Sequence, residues 1–352
     1  MSVKRFRLAA KATALAGAAA LAVALTACGS DSGHSDGAQA GASDQLVVYS
    51  GRSEDLVGPL LERFTEATGI GVEVRYAGSG ELAAQLITEG DASPADVFLS
   101  QDAGALGAVS AAGLFAPIDA ETLAAVPAAY SAADGTWVGV SGRARVLTYN
   151  PELAPTVPDT IDGLLDPQWR GKIGYAPSNA SWQSFVTGLR VLRGEQGAKD
   201  WLEAFAAQEP RAFEGNGPMR DAINSGELPM GLTNHYYLYE LIDSTSADDV
   251  VAKNQYMAAG DPGGLVNVAG VGVLKSAPHT EQASEFAAYL VGTAAQEYFA
   301  TETAEYPLVE GVTPSAALPP LAQLQPPAVD LSQLDDVETT QELLVETGLL
   351  TN

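Results

Sequence analysis

The sequence predicts a two-lobed α/β protein built on mixed, mostly parallel sheets with a hinge and a cleft between the lobes. Two observations carry this. First, 352 residues, 46% of them hydrophobic, are too many for one ordinary domain and too apolar for a disordered chain. Second, a strand–helix–strand–helix–strand rhythm begins at Gln45, and the same alternation returns after Thr136, as two α/β lobes with a ligand between them would require. Composition narrows the function. With 18 Lys+Arg against 44 Asp+Glu, a net charge of −26, the chain offers no basic footprint for nucleic acid. One cysteine excludes a disulfide framework or a thiolate-built metal centre, and three histidines (His34, His235 and His279) exclude a histidine-rich one.

The first 27 residues read as an export signal. Lys4, Arg5, Arg7 and Lys11 precede an uncharged run, residues 12–27, that is short for a membrane span. It ends in Leu25-Thr26-Ala27-Cys28, which resembles a bacterial lipobox. The expectation is therefore that Cys28 is diacylated and becomes the mature N-terminus, giving a lipid anchor on the outer face of the cytoplasmic membrane. Loss of residues 1–27 removes four positive charges and no negative one, taking the net charge from −26 to −30. Residues 28–44 contain small and polar residues after the cysteine and read as a tether with a span of about 20–25 Å.

Leu46 to Tyr49 is a short apolar run, read as a buried strand. Residues 54–68 place Leu56, Val57, Leu60, Leu61 and Phe64 on one helical face, with Glu54 and Asp55 at the positive end of the helix dipole and Gly69 closing it; Pro59 sits awkwardly inside. Ile70 to Tyr76 alternates as a strand, a helix follows Gly78-Ser79-Gly80, and Ala95 to Leu99 is a third strand. Further on, Thr136–Tyr149 is extended, 181–192 and 198–207 are helical, and Gly231-Leu232-Thr233 is a strand leading into a helix from Tyr236. Val266–Leu274 is a glycine-rich strand, 280–297 is helical, and a last amphipathic helix lies near 334–350.

Three places could carry chemistry. Asn234-His235-Tyr236-Tyr237 stands just beyond the carboxyl end of a strand, where open α/β sheets bind ligands; an aromatic pair in the core is the plainer alternative. In the extended segment Ser141–Tyr149, the odd positions share a face, so Arg143, Arg145 and Tyr149 would project together and suit an anion, unless that face is a solvated edge. Asn179-Ala180-Ser181 opens a helix whose first free N–H groups could face an anion or merely be capped. No nucleophile elbow, His-Glu-x-x-His motif, Walker loop or free nucleophilic cysteine marks an enzyme.

Tyr49-Ser50-Gly51-Arg52, Ser93-Pro94-Ala95-Asp96-Val97-Phe98, Gly171-Lys172-Ile173-Gly174-Tyr175-Ala176-Pro177, Asn234-His235-Tyr236-Tyr237 and Val266 to Val273 follow one another in family order. From residue 46 to about 340 the chain resembles the ferric-iron substrate-binding proteins of ABC importers, a branch of the periplasmic binding proteins. The resemblance implies a monomer of two lobes that close on the metal, with residues 45–142 and 268–316 in lobe 1 and 143–267 and 317–352 in lobe 2. It implies Tyr236 and Tyr237 as paired ligands, Tyr149 as a third, and Arg143 and Arg145 at a synergistic anion such as carbonate or phosphate. Asn179, Ala180, Ser181, Asn216 and Asn234 fall at or near its other anion contacts. The chain departs from the family where Ser53 replaces a histidine ligand, Glu54 stands for a further tyrosine and Gln101 for a glutamate; Glu54, Gln101 and Asp102 remain candidates for the metal or for water. Ferric iron is a hard cation suited to oxygen donors, and a bound cation brings phenol into its phenolate form at neutral pH. The same transport role for a phosphonate, polyamine or thiamine-like ligand is one alternative reading, and a surface-anchored enzyme is another.

Overall fold

The computed structural model describes residues 45–315 and 318–351; the export signal, Cys28 and the tether lie outside the described residues. Nine strands form one ladder: β1 (Leu46–Ser50), β2 (Val72–Tyr76), β3 (Val97–Ser100), β4 (Val138–Tyr149), β5 (Ile173–Tyr175), β6 (Arg211–Ala212), β7 (Met230–Asn234), β8 (Lys253–Gln255) and β9 (Val266–Val273). Their order is β2-β1-β3-β9-β4-β7-β5-β6, with β8 also on β4. The βαβ units supply the parallel pairs, β1 with β2 and β3, and β5 with β6 and β7. Every antiparallel pair involves β4 or β9, the strands that link the two βαβ regions. The sheet is thus mixed.

β4 changes partner midway. From Val138 to Ala144 it pairs with β9, and from Arg145 to Tyr149 with β7. Two apolar cores follow that change. One gathers residues from Leu46 to Val140 with others from Leu265 to Leu334, around Phe64, Phe98 and Phe286. The other spans Leu147 to Leu349 around Trp182, Phe185, Trp201 and Phe205. Between them, at the change of partner, β4 presents Arg143 and Arg145, both buried.

The helices form for the expected reasons. The Glu54–Thr68 helix buries Val57, Leu60, Leu61 and Phe64 and ends on Gly69, in the left-handed conformation with its N–H on the Thr65 carbonyl. Pro59 is accommodated without moving the start. The two helices expected at 181–192 and 198–207 meet end to end as Ala180–Ala206, broken at Gly194 (φ 72°, ψ 167°). The expected 280–297 segment is divided into Thr280–Leu290 and Thr293–Thr301 around Gly292, and the last helix covers Val337–Glu346.

Candidate functional site

β7 is buried along its whole length and runs through His235 into the Tyr236–Ser244 helix, so the tyrosine pair is fixed by the sheet rather than carried on a loop. His235 anchors the junction. Its Nδ1 accepts the Ala144 N–H at 3.2 Å, which leaves the proton on Nε2 to be donated to the Ala304 carbonyl at 2.9 Å. Burial pushes this imidazole down to about 4, so it is neutral at pH 7, and with both ring nitrogens bonded to backbone it serves as a brace. Tyr236 and Tyr237 stack with ring centroids 4.4 Å apart. Tyr236 is 1% exposed, and burial, then Tyr237, raises its phenol well above the ordinary value, against the pull of Arg143 and Arg52.

Facing these rings is a buried group of charges. The Arg52 guanidinium lies 5.9 Å from the Tyr236 ring centroid and donates from Nη2 to Glu305 Oε2 at 2.8 Å. Burial opposes the Arg52 charge, but Glu305 and the two phenols more than restore it. Arg143 has its Nε 3.9 Å from Glu305 Oε1, beyond hydrogen-bond reach, and none of its three guanidinium nitrogens has a hydrogen-bond partner. A fully buried cation with every donor unspent is costly unless an anion arrives to take them. Arg145 donates to the Ser181 carbonyl (2.9 Å), Ser181 Oγ (3.2 Å) and the Leu232 carbonyl (3.3 Å), keeping only Nε free. Burial and then Arg143 push it down to about 9, so it is still a cation at neutral pH.

Arg145 connects this group to a polar wall. Asn179 caps the Ala180–Ala206 helix through the Ser181 N–H and accepts from Ser181 Oγ at 2.7 Å, while Asn216 donates to Asn179 and Ser181. Asn234 lies directly across from Arg145 in the β4–β7 register. The arrangement therefore brings together Tyr236, Tyr237, Arg143, Arg145, Asn179, Ala180, Ser181, Asn216 and Asn234 around the middle of β4.

Tyr149, expected beside the arginines, lies further along the strand. It shares a strand face with Arg143 and Arg145, but it pairs with Met230 and packs against the second apolar core, beyond the buried Leu147. Roughly 13 Å of strand separates it from Arg145. Equal facing therefore does not put this phenol beside the cations. Glu54 is an exposed helix start. Asp102 caps the Ala103–Ala111 helix and accepts from Ser184, and the Gln101 backbone N–H is held by Ser79 while its Nε2 has no partner. No described hydrogen bond or ion pair links these three to the tyrosines. Sequence reasoning did not single out Arg52 or Glu305 as site residues. Arg52 sits in a quoted motif, but Glu305 is one acid among 44 and meets Arg52 from 253 positions away.

Chemically, the site offers two phenol oxygens, three guanidinium groups and one carboxylate. No group of three or more His, Cys, Asp or Glu that could hold a metal occurs among the described residues, so a metal here would rest on tyrosine oxygen and on an anion. The sequence pattern of the bacterial extracellular solute-binding proteins matches residues 92–330. The chain is 38% identical, over 89% of its length and 94% of the relative's, to the Fe(3+)-binding periplasmic protein of Serratia marcescens. Its fold superposes on iron-bound HitA from Pseudomonas aeruginosa with a TM-score of 0.83 at 33% identity, covering 87% of this chain and 99% of that one. A Trichodesmium protein solved with iron and citrate gives a TM-score of 0.76 at 32% identity, covering 87% and 100%.

Proposed function

Because this chain belongs to the bacterial extracellular solute-binding proteins, in their ferric-iron-binding branch, we propose that it captures ferric iron together with an oxyanion and hands both to an ABC importer. It is a transport protein, not an enzyme. In this reading Tyr236 and Tyr237 bind the cargo as phenolates, and the anion lies on Arg143 and Arg145 against the Asn179–Ser181 wall, with carbonate, phosphate or a carboxylate as candidates. The observation that carries it is the stacked tyrosine pair beside Arg143, a fully buried guanidinium with all three nitrogens unpartnered.

Binding and release then follow from charge. Ferric iron replaces the phenol protons, the anion takes the arginine donors, and loss of the anion, protonation or reduction of the metal loosens the complex. Lobe 1 would comprise residues 45–142 and 268–316 and lobe 2 residues 143–267 and 317–352, closing on β4 and β9. Cys28 is the proposed lipid attachment point, holding a monomer near its permease at the membrane. Replacing it, Cys28→Ala, should abolish incorporation of radiolabelled palmitate; undiminished labelling would remove the anchor from this account.

The direct test is colour. The purified protein titrated with a chelated ferric salt and bicarbonate should develop the orange-red band of tyrosinate-to-iron charge transfer. Tyr236→Phe and Tyr237→Phe should each abolish it, and Tyr149→Phe should leave it in place, since that residue stands apart. Absence of any band with several anions would end the iron reading, and a band that survives both Phe changes would end the site assignment.

A further inference from the structure

Glu305 is buried with its carboxylate inside a group of cations, yet only half of that carboxylate is engaged. Oε2 is bonded to Arg52 and lies 3.1 Å from Thr303 Oγ1, whereas Oε1 has no hydrogen-bond partner and stops 3.9 Å short of Arg143 Nε. The backbone holds it there. Ala304 adopts φ 50°, in the left-handed region that disfavours a β-carbon, and its carbonyl is bound by His235 while Tyr306 bridges to Gly142 of β4. The segment that carries Glu305 is thus clamped to the same junction that sets Tyr236.

Charge arithmetic gives this carboxylate a use. Arg52, Arg143 and Arg145 outnumber Glu305 among the groups that touch one another here, while Arg220 nearby faces two carboxylates of its own, Asp221 and Glu240. We propose that Glu305 tempers the charge selectivity of the cleft: it ties up Arg52, stands unbonded beside Arg143, and opposes an entering oxyanion in proportion to that anion's charge. Any anion that takes the Arg143 donors comes up against the Glu305 carboxylate, and the repulsion grows with the charge of the anion. This rests on the reading of the cleft as an anion-assisted iron site, but it can be measured without iron.

The experiment is calorimetric titration of the iron-free full chain with sulfate, divalent at neutral pH, and with nitrate, similar in size but monovalent. The unchanged protein should prefer sulfate. Glu305→Gln adds a unit of net positive charge at constant volume, so it should tighten nitrate about tenfold and sulfate by about the square of that factor, about a hundredfold, because the gain scales with anion charge. If Glu305→Gln does not fold, Glu305→Asp, which withdraws the carboxylate from Arg143, should show the same ordering with smaller factors. A folded variant in which both anions are unchanged, weakened or shifted by an equal factor overturns the proposal, since loss of packing alone has no means to sort anions by charge. Failure of the iron reading would show separately, as absence of the charge-transfer band in the unchanged protein.

Discussion

Tyr236 keeps its proton tightly in the metal-free protein, because burial and the adjacent Tyr237 ring disfavour phenolate more than Arg143 and Arg52 favour it. Iron bound to this phenol, as proposed, has to expel that proton. The sign follows: with the metal-free phenol raised, acidification favours the proton over the metal and weakens binding, and rising pH strengthens it. The Tyr236 proton released is worth up to about tenfold in apparent affinity per pH unit. Competition against a chelator of known protonation between pH 6 and 8 checks the slope, and a flat profile would mean that the phenols do not bind the metal. The tyrosine doublet was legible in the sequence because it follows a strand directly. Glu305 was not, since a buried carboxylate has the same letter as dozens of solvated ones and its partner lies at the far end of the chain.

Helices were read well at the level of single elements because a 3.6-residue apolar face and a closing glycine are local properties; Glu54–Thr68 ending on Gly69 is the example. The long strand was legible only as a strand. Nothing in the alternation from Thr136 to Tyr149 says that pairing passes from β9 to β7 at Ala144–Arg145, nor that Tyr149 ends up at the far end of the β7-paired stretch from Arg145. The passage also depends on a close approach. β4 shifts register between Gly139 and Ser141, and a β-carbon at Gly139 would stand 2.4 Å from the Tyr130 carbonyl oxygen, a backbone atom that cannot swing away. Gly139→Ala should lower stability by about 1–3 kcal/mol through overpacking. Urea denaturation should show this as a lower midpoint with an unchanged slope, and an unshifted midpoint would mean that the strand relaxes freely.

For the whole molecule, acidity set limits without naming a cargo: a net charge of −26 argues against nucleic acid, while the site itself is a buried positive pocket. The two are compatible because the cations sit where β4 and β9 pass between the two cores, away from the acidic exterior. That location also predicts motion. Arg52 follows β1, packed with the first core, and the tyrosines follow β7, packed with the second, so a ligand touching both sides draws the halves together, with β4 and β9 as the crossing strands. Neither ligand should suffice alone. An anion without metal satisfies the arginines but leaves the Tyr236 phenol holding its proton, and metal without anion leaves Arg143 buried and unpaired. Small-angle X-ray scattering should therefore show a smaller radius of gyration with ferric iron and bicarbonate together than with either one. Tyr236→Phe/Tyr237→Phe should remove the contraction. Equal contraction by bicarbonate alone would instead assign closure to the arginines and make the tyrosines bystanders to the hinge.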